Sequence, residues 1–230
     1  MQRRTLDCTD LQPMFQLTCG SGATLMARVS WLEPGIIMKC LDAGAYWVIC
    51  PMAGTAAQAA ECVSYLRYPP LGQRSFGLTR ELFAVGDNCA LEANSEIMAF
   101  AMIETAERMD DLDVICAAPR LDGIYLGPTD LTFGLTQGRQ VPALDREEPE
   151  MIMALQRIVA ACKAAGIKAA GIKCALRCRT PGCAARAVGW GFDVVTASRD
   201  SRLLAAAAAC AVRFRGLVAQ RVGSSVKGAY

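Results

Sequence analysis

Two short stretches decide how the chain folds: Ile97-Met98-Ala99-Phe100-Ala101-Met102-Ile103-Glu104 and Asp122-Gly123-Ile124-Tyr125-Leu126-Gly127-Pro128-Thr129-Asp130. Residues 97–103 form an apolar run of strand length, and residues 105–116 follow directly with a helical pattern. Residues 122–126 read as the next strand, closed by Gly127-Pro128. Two strands joined through a helix make a crossover unit, and a crossover implies parallel pairing.

Working outward, the same alternation repeats in both directions. Toward the N-terminus, residues 24–29 read as a strand. Residues 34–45 read as a helix, opened by Pro34 and ended by Gly44. Residues 46–50 read as a buried strand, 55–68 as an amphipathic helix capped by Thr55, 75–77 as a short strand and 80–94 as helical. Toward the C-terminus, a short helical turn and a polar loop lead to a long helix over 147–165. Glu147, Glu148 and Glu150 suit the positive end of its dipole. Residues 167–174 then read as a strand, 181–190 as a helix, 192–197 as a strand and 200–222 as a closing helix.

The count is seven strands, each followed by a helix, with no linker between them. One domain over residues 1–222 and a tail over 223–230 are expected. Strict alternation implies a parallel sheet covered by helices, as an open doubly wound sheet or a (β/α)8 barrel. No G-x-G-x-x-G or G-x-x-x-x-G-K-[ST] follows a strand, which weighs against the nucleotide-binding open sheet. In a barrel, the chemistry sits at the C-terminal ends of the strands.

Composition narrows that chemistry. The 230 residues are 53% apolar and 20% charged, and 24 Lys+Arg stand against 22 Asp+Glu. The basic residues are scattered, so no nucleic-acid partner is expected. No apolar run reaches the roughly 18–20 residues of a membrane helix, and no leader is visible, so a cytoplasmic protein is expected. There is no histidine, which excludes Ser-His, Cys-His and His-metal mechanisms within these residues. Twelve cysteines lack any C-x-x-C spacing and read as reduced thiols acting as small hydrophobes.

The strand ends then carry the site. Arg28 lies near the end of the 24–29 strand, Glu104 closes the 97–103 strand, and Asp130 follows the 122–126 strand. Two carboxylates beside an arginine make a candidate hard-cation site facing a fixed positive charge. The simpler roles are a helix N-terminal acid for Glu104 and a turn cap for Asp130. Arg67, Arg74 and Tyr68-Pro69-Pro70 read as residues that fix a loop and a subunit contact, Trp31 and Trp47 as packing residues, and Asp110, Asp111 and Asp113 as a solvated helix face.

An ordered series of motifs resembles the HpcH/HpaI family of metal-dependent pyruvate aldolases over residues 10–212. It comprises Ala27-Arg28-Val29-Ser30-Trp31, Leu41-Asp42-Ala43-Gly44-Ala45, Ile49-Cys50-Pro51-Met52, and Arg67-Tyr68-Pro69-Pro70 with Gly72, Arg74 and Gly77. It continues with Met102-Ile103-Glu104-Thr105, Leu121–Leu131, and Gly189-Trp190-Gly191-Phe192-Asp193-Val194-Val195-Thr196. The resemblance implies a (β/α)8 TIM barrel of the phosphoenolpyruvate/pyruvate type and a homo-oligomer, hexameric or trimeric, whose last helix is exchanged between subunits. It implies that Glu104 and Asp130 ligate Mg²⁺, with Mn²⁺ or Co²⁺ as alternatives. Gly127, Thr129 and Asp130 would offer backbone N–H groups to the carboxylate of a 2-oxo acid such as pyruvate. Arg28 would face the keto oxygen and stabilise the enolate. The implied activity is retro-aldol cleavage of a 4-hydroxy-2-oxo acid to pyruvate and an aldehyde.

The sequence also departs from the family pattern. That pattern opens with a strand ending in Asp/Glu-His, whose histidine handles protons, whereas this chain starts at about the first helix, over residues 6–17. A barrel lacking its first strand is therefore expected, with seven strands visible. Lys173 stands in a strand where the family commonly has histidine, and Met102 stands where relatives place glutamine. The alternative reading is a non-catalytic or truncated relative that binds metal and 2-oxo acid without efficient turnover.

Overall fold

The computed structural model describes residues 6–18, 20–77, 89–165 and 171–226. The N-terminal half contains helix α1 (Cys8–Thr18), strand β1 (Met26–Arg28), α2 (Pro34–Asp42), β2 (Trp47–Cys50), α3 (Ala56–Leu66), α4 (Cys89–Glu96) and β3 (Met98–Ile103). Two short helices follow, α5 (Glu107–Asp110) and α6 (Leu112–Cys116), then β4 (Gly123–Leu126) and α7 (Pro128–Leu135). The remainder is α8 (Pro149–Ala164), β5 (Lys173–Arg177), α9 (Pro181–Trp190), β6 (Val194–Thr196) and α10 (Asp200–Val226).

Local chemistry fixes several starts. The Glu33 carboxylate accepts from Gly35 N and Ile36 N at 2.8 and 2.7 Å, and Pro34 opens α2. Thr55 accepts from Gln58 N at 3.2 Å, and Thr180 accepts from Cys183 N at 3.2 Å. Each side chain satisfies a first-turn donor that has no intrahelical acceptor.

All strand pairs are parallel, and the sheet runs in chain order from β1 to β6. One large apolar cluster joins the helices to one face of the strands through Val48, Ala99, Ala101, Ile103, Ile124, Leu126 and Leu176. The second cluster is built from strand residues alone: Ile49, Phe100, Met102, Tyr125 and Ala175, with Met26, Trp47, Met98 and Val194 packed against them. Among the described residues helices therefore cover one face, and the strands close over their own side chains on the other. This is the arrangement of a parallel sheet curled into a half-barrel.

Glycine is required inside that half-barrel at Gly123. A Cβ there would stand 2.4 Å from Phe100 Cε1 and 2.8 Å from the Lys173 carbonyl oxygen. Phe100 is pinned on its other side by Trp47, with ring centroids 5.7 Å apart. Gly123→Ala should therefore destabilise the fold by about 1–3 kcal/mol through overpacking. At this chain length that is a fall in Tm of roughly 2–12 °C, read by thermal melting. An unchanged Tm would show that the inner cluster has room to spare.

Six strands are seen among the described residues where seven were expected, and the sheet is open, β1 and β6 each having one hydrogen-bonded neighbour. The lost strand is 75–77, which pairs with nothing in the sheet. The chain before it folds back on α3 instead, with Gln73 N donating to Ser64 O and Arg74 N to Arg67 O. Buried Arg74 is held there by Asp42 at 3.0 Å and by the Tyr68 ring.

Other boundaries move as well. The expected strand at 167–174 is observed as Lys173–Arg177, and part of the expected range lies outside the described residues. The expected 105–116 helix is two short helices broken at Asp111. The closing helix continues to Val226, into the expected tail. Of the expected 80–94 helix, the described part begins at Cys89. Leu203, Leu204, Val212 and Phe214 on α10 are all exposed. Among the described residues no helix is long and apolar enough to cross a membrane.

The cysteines depart from the all-thiol expectation at one pair, since Cys50 and Cys62 are joined in a disulfide. Cys40, Cys116, Cys162, Cys174, Cys178 and Cys183 are thiols buried in the apolar layer. Burial pushes the Cys40 thiol up to about 12 and the Cys178 thiol up to about 12. They serve there as small apolar groups.

Candidate active site

The alternation of a strand puts every second side chain on the same face. Met102 belongs to the inner cluster, so Glu104, two residues on, rises from the inner face just beyond the C-terminal end of β3. In β1, Met26 packs inward and Ala27 outward, which sends Arg28 inward at its strand end. The two meet: Arg28 Nη2 lies 3.4 Å from Glu104 Oε2, with only 19% and 9% of the respective side chains exposed. The expected pairing of an arginine from one strand with a carboxylate from another is therefore present. The helix-acid role for Glu104 is not, because the next helix begins only at Glu107.

Gly127 shapes the wall beside this pair. A Cβ on it would come within 2.6 Å of Met102 Cε and 3.3 Å of Glu104 Cγ, so a side chain there would push the Met102 methyl aside and crowd Glu104. Gly127 also ends β4 and precedes α7, in which Pro128, Thr129 and Asp130 are the first three residues and no side chain caps the end. First-turn donors of a helix lack intrahelical acceptors, so Thr129 N and Asp130 N are the N–H groups this end can offer. The Gly127 N–H is different. It donates to Ile103 O at 3.0 Å, which corrects the expectation that it serves an incoming carboxylate.

Two carboxylates beside the mouth of a parallel sheet form a hard-oxygen donor set. Mg²⁺ commonly takes one or two protein carboxylates and completes its shell with water and substrate oxygens. Glu104 and Asp130 fit such an ion in donor type. Among the described residues no group of three His, Cys, Asp or Glu side chains is gathered to hold a metal.

Several other expected assignments are settled by position. Lys173 stands at the N-terminal end of β5, exposed, 3.4 Å from Asp193. Four residues of strand separate it from the mouth by about 13 Å, so it does not take part in the site. Arg67 donates to Ile97 O and pairs with Asp122, which ties α3 to the strand starts, far from Glu104. Trp47 packs inward, but Trp31 is 56% exposed and so is no core residue. Asp110, Asp111 and Asp113 are exposed as expected, and Asp113 pairs with Arg157.

Three inner-face residues were missed by the sequence reading: Tyr125, Arg177 and Thr196. The Tyr125 hydroxyl lies 3.0 Å from Thr196 Oγ1, which itself lies 3.4 Å from Leu176 O. Burial pushes the Tyr125 phenol up, against the opposing pull of that hydrogen bond and of the Arg177 and Arg28 guanidinium groups. At neutral pH it is a neutral phenol. The period-two pattern was the available signal, because Tyr125 lies two residues before Gly127 and Thr196 two after Val194.

Fold and site together define a class: a parallel α/β barrel-type protein with carboxylates and arginines at its strand C-terminal ends, the usual place for catalysis in such folds. The sequence profile of the HpcH/HpaI aldolase/citrate lyase family matches residues 6–199. The chain belongs to that family. It is 38% identical over 208 residues to a hydroxypyruvate/pyruvate aldolase of Rhizorhabdus wittichii, covering 90% of this chain and 80% of that one. It is 31% identical over 196 residues to a 5-keto-4-deoxy-D-glucarate aldolase of Klebsiella pneumoniae, covering 84% and 73%. Among solved structures, an HpcH/HpaI aldolase/citrate lyase family protein from Burkholderia cenocepacia superposes with a TM-score of 0.78 at 25% identity, covering 90% of this chain and 80% of that one.

Proposed function

We propose that the chain is a carbon–carbon lyase that cleaves a 4-hydroxy-2-oxo acid to pyruvate and an aldehyde with the help of a divalent cation. The observation that carries this reading is the Arg28–Glu104 pair at the strand ends, set against a glycine that leaves Glu104 its place. The relatives named as aldolases support it. Glu104 and Asp130 would hold the cation, which supplies Lewis-acid charge to the carboxylate and keto oxygens of the 2-oxo acid.

The chain's own groups do the rest. Thr129 N and Asp130 N receive the substrate carboxylate at the α7 terminus, where the helix dipole favours an anion. Arg28 faces the keto oxygen and supplies positive charge where negative charge develops as the C3–C4 bond breaks. Phe100, Met102 and Tyr125 close the floor and keep water from entering beneath the site. A homo-oligomer belongs to this reading, supported by the exposed apolar face of α10. So does a cytoplasmic setting, which suits the buried thiols better than the Cys50–Cys62 bond.

The test separates binding from chemistry. Arg28→Lys should slow cation-dependent decarboxylation of oxaloacetate by about 100-fold, the usual loss of one oxyanion donor. Its effect on cation-dependent pyruvate affinity, measured by calorimetry, should be under about tenfold. Equal losses in both would make Arg28 a plain anion anchor.

The second reading is a binder of cation and 2-oxo acid without efficient turnover. The absence of any imidazole among the 230 residues favours it.

A further inference from the structure

The floor of the half-barrel carries a hydroxyl that this mechanism does not use, on Tyr125. Its neighbours in the inner layer are Ile49, Phe100, Met102 and Ala175, with Val194 packed against them. A phenylalanine would fill that layer as well, whereas a buried phenol also needs a polar partner. That partner is Thr196 Oγ1 at 3.0 Å. It sets how high the hydroxyl stands. Leu126 pairs with Leu176, and the next residue, Arg177, pairs with Thr196, so Thr196 stands level with Gly127 at the strand mouth. In β6, Val194 packs inward and Val195 outward, which turns Thr196 inward as well. The Tyr125 hydroxyl therefore reaches the mouth from below, on the face that Arg28 and Glu104 share.

Its surroundings suit a group that gives up a proton and takes one back. Burial holds the phenol neutral, so a proton is present to give. The Thr196 hydroxyl and the positive fields of Arg177 and Arg28 oppose burial and stabilise the phenolate left behind. Thr196 Oγ1 also lies 3.4 Å from Leu176 O, so its proton can rest on that carbonyl and turn to the phenolate when needed. The reaction requires such a donor. Cleavage of the C3–C4 bond leaves its electron pair on the pyruvate half as an enolate, which becomes pyruvate only when C3 gains a proton. A phenol is a far stronger acid than the methyl group of pyruvate, so the transfer runs downhill.

We propose that Tyr125 is the general acid that protonates C3 of the pyruvate enolate, with Thr196 steadying the phenolate. The Tyr125 O–H bond breaks, the C2–C3 double-bond pair of the enolate forms the C3–H bond, and an oxygen pair restores the C2 carbonyl. Solvent then returns a proton to the phenolate, so decarboxylation of oxaloacetate consumes one solvent proton for each CO₂ released. The proposal rests on the lyase reading for the enolate.

The test follows oxaloacetate on the full chain with Mg²⁺, using proton NMR to detect enolpyruvate released before C3 is protonated. The intact protein should release pyruvate directly, with enolpyruvate under about a tenth of the early product. Tyr125→Phe keeps the ring that fills the floor. It should release mostly enolpyruvate, while loss of oxaloacetate slows by less than about tenfold. Thr196→Val, which keeps the phenol and removes its partner, should give an intermediate share and stands in if the phenylalanine variant fails to fold. A phenol that only fills the floor would slow the loss of oxaloacetate without changing the product first released. Pyruvate released directly by the phenylalanine variant, or enolpyruvate released by the intact protein, overturns the acid and leaves the lyase reading standing. No cation-dependent loss of oxaloacetate in the intact protein overturns both.

Discussion

Glu104→Gln should reduce cation-dependent binding of pyruvate or oxalate by at least about 100-fold. Changing groups that merely orient metal ligands already costs 10–100-fold in many sites, and Glu104 is proposed as a ligand itself. The glutamine variant is the informative one because it keeps the shape of a side chain packed against Gly127 and Met102. It also leaves an oxygen for Arg28, which alanine would strand beside an uncompensated cavity. The fold should survive, so loss of binding can be read as loss of a donor. Asp130→Asn should act in the same direction, since Mg²⁺ sites of this kind rely on one or two protein carboxylates. Calorimetric titration of pyruvate with Mg²⁺ or Mn²⁺ present, then again after EDTA, provides the measurement. Unchanged cation-dependent binding in both variants would mean that the carboxylates hold no ion and that Glu104 serves Arg28 alone.

How much of this was legible in the sequence depends on the length of each element. β3 and β4 were readable nearly to the residue, because their apolar runs end on Glu104 and on Gly127-Pro128. The Arg28, Glu104 and Asp130 set followed from those ends. The 75–77 segment misled because three residues between turns carry no periodicity, and the chain before it, at Gln73 and Arg74, is tied to α3 and not to the sheet. β5 misled for a different reason. The run from Ile167 to Cys178 is apolar or mixed throughout, so nothing local marks where pairing begins, and the strand is displaced toward its C-terminus. That displacement had a functional consequence. With the strand ending at Cys174, Arg177 fell between elements, and Lys173 stood near the C-terminal end of its strand. The observed register reverses both, sending Arg177 to the mouth and Lys173 to the opposite end. Tyr125 and Thr196 were hidden by a limit of single-strand reading. A polar group buried in an apolar run needs a partner, and theirs lie two strands apart.

In a comparison of two reactions, cation-dependent decarboxylation of oxaloacetate should exceed aldol cleavage of a 4-hydroxy-2-oxo acid in this chain. Both pass through the pyruvate enolate, which Arg28 is placed to stabilise. They differ in the proton each requires before a bond breaks. Decarboxylation releases CO₂ from a carboxylate that is already ionised, so no base is needed to reach the enolate. Aldol cleavage must remove the 4-hydroxyl proton, and a positioned base is worth roughly 10²–10⁴-fold in such a step. No histidine is present to act as that base. Tyr125 is a poor substitute, because burial holds its phenol neutral and a neutral phenol is too weak a base to take that proton. Lys173 is at the wrong end of its strand. Rates for both reactions, measured on purified protein with Mg²⁺ and again with EDTA, should therefore favour decarboxylation by about 10²-fold or more. Aldol cleavage as fast as decarboxylation would mean that another group takes the 4-hydroxyl proton. Silence in both assays, with intact cation-dependent pyruvate binding, would assign the chain to the non-catalytic reading and leave its site as a 2-oxo acid receptor.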